Sequence, residues 1–97
     1  IDENNFQIDD QEILKKLNDN NEIINNIYDL LKSCDWDANA IKTNIENYVN
    51  DNNKKMSEVA PLIRLALTGK TNSPDIYNII YILGKNTCLN RLKKNSG

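Results

Sequence analysis

The sequence predicts an all-α fold, a compact bundle of about six short helices. Apolar residues recur at i, i+3, i+4 and i+7 along much of the chain, the stripe that one face of an amphipathic helix buries. No segment sustains the period-2 alternation of a half-buried strand, and no hairpin signal stands out. Pro61, Gly69, Pro74 and Gly84 fall where helices should begin or end, as their backbone preferences require.

Residues 1–8 read as a linker or the end of a preceding element, and residues 9–97 as a single domain. Asp9 or Asp10 can cap a first helix running to about Asn18, with Ile13, Leu14 and Leu17 on one face. Asn20 or Asn21 opens a second helix, in which Ile23, Ile24, Ile27, Leu30, Leu31 and Cys34 form the stripe. Asp35-Trp36-Asp37 interrupts it, and Asp37 is placed to cap a third helix that turns Ala40 or Ile41, Ile45, Tyr48 and Val49 inward. A polar turn over Asp51–Lys55 follows.

Ser57 is the expected cap of the fourth helix, with Glu58 in its first turn and Pro61 near its start, where a missing N–H is tolerated. That helix runs to about Leu67, and Gly69 closes it with a positive φ. Ser73 is expected to cap a fifth helix, with Pro74 in its first position and Asp75 complementing the dipole. Ile76, Tyr77, Ile79, Ile80, Ile82 and Leu83 make this helix apolar nearly all round, so it is expected to be central. Gly84 ends it, and a last helix holds Leu89 and Leu92.

With 97 residues the chain can bury a modest core of marginal stability. It begins at Ile1, which reads as a piece of something longer. No apolar run approaches the roughly 20 residues of a membrane span, and no basic-then-apolar leader precedes the helices. A cytoplasmic protein without a membrane partner is expected. The chain has no histidine and two distant cysteines, Cys34 and Cys88. That composition excludes a Cys/His zinc site and any histidine-based catalytic triad, and it points to two reduced, buried thiols. The 18 asparagines interrupt the helical stripes without forming long runs, so they read as coding bias and not as an aggregating tract.

Charge is divided along the chain. Residues 1–53 hold four basic and twelve acidic side chains, a balance of −8, whereas residues 54–97 hold eight basic and two acidic, a balance of +6. Such asymmetry suits an anionic partner on one side of the molecule. It equally suits two halves that pair with each other.

The string Leu62-Ile63-Arg64-Leu65-Ala66-Leu67-Thr68-Gly69, then Ser73-Pro74, then Ile82-Leu83-Gly84-Lys85, then Arg91-Leu92, resembles the C-terminal end of bacterial-type glutamyl-tRNA synthetases. Trp36, followed by a polar helix, is similar to that family as well. The resemblance covers roughly residues 10–94, and residues 61–92 carry most of it. The family often reads Pro-Leu-Arg directly, whereas Ile63 intervenes here and puts Pro61 one step out.

The resemblance implies the helical anticodon-binding domain of a class I aminoacyl-tRNA synthetase. Such a module does no chemistry itself. It holds tRNA(Glu), and in some members tRNA(Gln), while the upstream remainder of the synthetase attaches ATP-activated glutamate. ATP and Mg then belong to the parent enzyme, and no cofactor is expected in this chain. Lys55-Met56-Ser57 echoes the KMSKS signature of the catalytic domain, but Glu58 stands where a lysine is required, and without histidine the HIGH signature is absent. A self-contained enzyme is therefore disfavoured.

Single-stranded RNA is read by planar donors, free backbone groups and stacking surfaces. Arg64 offers a rigid donor fork. The resemblance implies that Arg64, Ser73, Pro74, Ile76 and Tyr77 border the first two anticodon bases, Ile76 through its backbone. Tyr77 can stack on a base or belong to the core; Trp36 is expected in the core. Lys70, Lys85 and Arg91 would attract phosphates weakly and without regard to sequence, as would Lys93 and Lys94, for which a solvated C-terminal tail is the stronger reading. The alternative is a small helical protein–protein interaction domain with an acidic N-terminal half and a basic C-terminal half.

Overall fold

The computed structural model describes residues 8–71 and 75–94. They form six α-helices in chain order: α1 (Gln11–Asp19), α2 (Asn21–Lys32), α3 (Ala38–Asp51), α4 (Met56–Thr68), α5 (Ile76–Leu83) and α6 (Lys85–Lys94). No strand occurs among the described residues.

The starts of α1 and α3 follow the expected chemistry. Asp10 accepts from the Glu12 amide at 2.9 Å and the Ile13 amide at 3.3 Å, and Asp37 accepts from the Ala40 amide at 2.8 Å. Each supplies an acceptor to donors that the first helical turn leaves unpaired. Asn20 stands at the junction of α1 and α2, but its side chain faces backward and donates to the Lys16 carbonyl.

Helix α4 starts two residues before the expected point. Lys55, not Ser57, is its N-cap, and the Lys55 amide donates to Glu58 Oε1 at 3.1 Å. The reciprocal side-chain cap is impossible because lysine carries no acceptor. Pro61 therefore lies inside the helix. Its nitrogen has no proton for the Ser57 carbonyl, and Ser57 is exposed, which lets that carbonyl be hydrated.

The central helix is α4, and α5 is not. Helix α4 buries Val59, Ala60, Leu62, Ile63, Leu65, Ala66 and Leu67 and touches every other helix. Helix α5 buries only Ile76 and Ile80, and leaves Tyr81 50% and Ile82 78% exposed. An apolar run with no polar face gives no sign of which side meets the core. Here α5 lies on the surface against α3, α4 and α6. The rest of the core comes from Leu17, then Ile24, Ile27 and Leu31 of α2, Ile41 and Ile45 of α3, and Cys88 and Leu92 of α6. Each fully buried Ile or Leu contributes about 1.5–3 kcal/mol of transfer free energy. Both cysteines are free thiols and buried.

The cap of α5 is Asp75, whose carboxylate accepts from the Tyr77 amide at 2.8 Å. The expected cap, Ser73, and the expected first residue, Pro74, lie outside the described residues. Gly69 closes α4 at φ +73°, and Gly84 closes α5 at φ +88°. Helix α6 starts at the very next residue.

Candidate nucleic-acid interface

Of the residues singled out from the sequence, Tyr77 packs against the start of α4 and Lys85 stands by Cys34 and Trp36, whereas Arg64, Lys70 and Arg91 lie by the C-terminal end of α4. Leu62, Ile63, Leu65, Ala66 and Leu67 anchor that end in the core, which fixes the face on which Arg64 stands. Arg64 is half-buried, and its Nε is fully buried with no hydrogen-bond partner among the described residues. A buried guanidinium nitrogen without an acceptor is costly in a finished fold.

The turn that follows is built by one hydroxyl. Thr68 Oγ1 donates to the Arg64 carbonyl at 2.8 Å and accepts from the Lys70 amide at 3.1 Å. The Gly69 amide donates back to the Leu65 carbonyl at 2.9 Å. Positive φ at Gly69 then sends the chain away from the helix axis. Thr68 was not among the residues expected from the sequence, although its place beside the closing glycine could have signalled it.

Lys70 is exposed on this turn and borders a shallow cavity of about 370 Å³, shared with Glu12, Ile13 and Lys16 of α1 and with Leu65, Gly69 and Thr71. Lys16 was also missed. It lies in the acidic half of the sequence, and summing charge over a half of the chain conceals a cation that packing returns to the other half.

Beyond the turn, Ile76 is 3% exposed and belongs to the core at the start of α5. Tyr77 is half-buried, with its hydroxyl 3.9 Å from Met56 Sδ across the start of α4. Burial pushes the Tyr77 phenol above its ordinary range, and the nearby Glu46 and Asp75 carboxylates add to the shift.

Two cations expected to attract phosphate have internal partners. Lys85 donates to the Cys34 carbonyl at 3.1 Å and stands over the Trp36 ring, 5.9 Å from its centroid. Arg91 is 5% exposed, and its Nη1 donates to the Leu67 carbonyl at 2.6 Å. Lys93 and Lys94 are exposed on the last turn of α6. Trp36 packs against the core as expected, half-buried, with an unpartnered Nε1 among the described residues. Beside it, burial raises the Cys34 thiol; Asp35 and Asp37 add to this, whereas Lys85 and an Asn44 hydrogen bond oppose it. That thiol is kept protonated and unreactive. No cluster of His, Cys, Asp or Glu able to hold a metal ion occurs among the described residues.

A family model described as an anticodon binding domain matches residues 1–95. The chain is similar to glutamate–tRNA ligase 1 of Bartonella bacilliformis, 34% identical over 78% of this chain and 16% of the relative. It is also similar to glutamate–tRNA ligase of Nitrobacter hamburgensis, 39% identical over 63% of this chain and 13% of the relative. With glutamate–tRNA ligase 2 of Ehrlichia ruminantium it is 32% identical over 87% of this chain and 18% of the relative. The chain thus spans less than a fifth of the length of these relatives. No solved structure gives a significant match.

Proposed function

The chain belongs to the anticodon-binding-domain family, and from that membership we propose that it is the tRNA anticodon-recognition module of a glutamate–tRNA ligase. The observation that supports this reading best is Arg64, a half-buried guanidinium one turn before the Thr68–Gly69 turn. A splayed base of tRNA(Glu) would meet the exposed part of that planar guanidinium along its edge. Backbone groups at the start of α5 would bond the neighbouring base, beside Tyr77. Lys70 and Lys16 would attract the phosphates regardless of sequence.

The module contributes binding energy and specificity, not chemistry. Glutamate activation uses ATP and Mg at a site upstream in the parent enzyme, which works in the cytoplasm. Some parents load tRNA(Gln) as well. A second reading, docking on a protein partner, draws on the exposed Tyr81 and Ile82 of α5.

Fluorescence anisotropy with tRNA(Glu) transcripts at two salt concentrations tests the proposal. Arg64→Ala should weaken binding by about 1–3 kcal/mol for the cognate anticodon and less for an anticodon-swapped transcript. Equal weakening on both transcripts sinks the base-reading role. A lack of binding even at low salt favours the protein partner.

A further inference from the structure

Arg91 is the one charged residue in the core among the described residues, and its place in the fold gives it a different task from the one its charge suggests. It stands on α6, between the buried side chains of Cys88 and Leu92. Its Nη1 reaches across to the Leu67 carbonyl at 2.6 Å. The last four carbonyls of a helix have no partner within it, and Leu67 is one residue from the end of α4. The neighbouring Arg64 and Leu65 carbonyls are held by Thr68 Oγ1 and the Gly69 amide. The guanidinium takes the Leu67 carbonyl from another helix. It also brings a positive charge to the negative end of the α4 dipole.

We infer that Arg91 is a positioning residue, which fixes the Thr68–Thr71 turn against α6 through the Leu67 carbonyl and so sets the register of Arg64 toward the RNA. It acts on anticodon discrimination without touching phosphate. The inference rests on the proposed function above, because discrimination is the property that the register governs. The two roles open to an arginine predict different results. A phosphate ligand adds affinity equally for every sequence and steepens the salt dependence. A brace contributes to discrimination and leaves the salt dependence alone. The geometry favours the brace, because a side chain 5% exposed presents almost no surface to a phosphate chain.

The test compares the wild-type chain with Arg91→Met, which keeps the apolar stem and removes the donor, and with Arg91→Lys, which keeps a charged donor. Two quantities are read: the preference for tRNA(Glu) over an anticodon-swapped transcript across a salt series, and amide hydrogen exchange at Gly69, Lys70 and Val49. In Arg91→Met the preference should fall about tenfold, the scale of a lost charged hydrogen bond, with an unchanged salt slope. The Gly69 and Lys70 amides should exchange at least about tenfold faster, while Val49 in α3 keeps its protection. Arg91→Lys should recover most of the preference. A uniform loss of affinity on both transcripts, with a salt slope smaller by about one, would make Arg91 a phosphate ligand and overturn the inference. Equal acceleration at Val49 would make it a general core residue and overturn it too. A wild type that discriminates while Arg91→Met discriminates equally well overturns the inference alone; a wild type with no preference overturns the anticodon reading as well.

Discussion

The Lys85 ammonium stands 5.9 Å from the centre of the Trp36 ring while donating to the Cys34 carbonyl at 3.1 Å. A cation placed by sequence on an RNA-facing surface is thereby tied to the start of α6 and to the loop between α2 and α3. Lys85→Met should cost about 1–2 kcal/mol, from the cation–π contact and a charged hydrogen bond lost together. Denaturant unfolding followed by Trp36 fluorescence measures it, and the native emission should change as well. The salt slope of tRNA binding should stay as in the wild type, whereas Lys70→Ala should lower it.

Gly69 should resist replacement for a reason of backbone and not of space. A Cβ added there would meet Ile8 Cγ1 at 3.8 Å, an ordinary contact, yet φ stays at +73°. Gly69→Ala should therefore cost about 1–2 kcal/mol. Gly69→Asn, which tolerates the left-handed region better, should cost less. Thermal melting of the two variants gives the order.

Helix α5 separates a surface role from a central one within three residues. Ile80 is fully buried and Ile82 is 78% exposed. Ile80→Ala should cost about 2–5 kcal/mol, and Ile82→Ser should stay within about 0.5 kcal/mol of wild type. A large loss in Ile82→Ser would place that side chain in the core and contradict the observed orientation of the helix.

Alkaline pH should loosen the fold through Cys34. Its thiol is raised in the folded chain, chiefly by burial, above the ordinary value of 9.0. A raised folded value means that the native state holds the proton more tightly than the unfolded chain does. The contribution is fully present below about pH 9 and is lost as pH rises through the folded value. Urea midpoints measured from pH 7 to 11 should fall at the alkaline end, and less steeply in Cys34→Ala. Tyr77, raised for the same reason, continues the decline above its ordinary value of 10.0.

The helix boundaries set by short-range chemistry were legible in the chain. Asp10 and Asp37 are read from their own sequence neighbours, and so are the closing glycines Gly69 and Gly84. What escaped depends on partners far along the chain. Arg91 meets a carbonyl 24 residues away and Lys85 one 51 residues away. Charge counting treats both as exposed cations, because nothing local to either residue marks its acceptor. The exposure of Ile82 escaped for a related reason: a helix apolar on every side carries no pattern to orient it. Arg64 was legible through its family string, but its unpartnered Nε depends on how α4 packs.

The absence of any spacer between α5 and α6 has a mechanical consequence. Gly84 alone separates the two helices, and Cys88 Sγ lies 3.4 Å from the Ile80 carbonyl across the corner. Helix α6 is also fastened to the far end of α4 through Arg91. Helix α6 is thus held near both ends, by the Gly84 joint to α5 and by the guanidinium to α4. A frame held in this way leaves less to be ordered if tRNA binds as proposed, so more of the contact energy would appear as affinity.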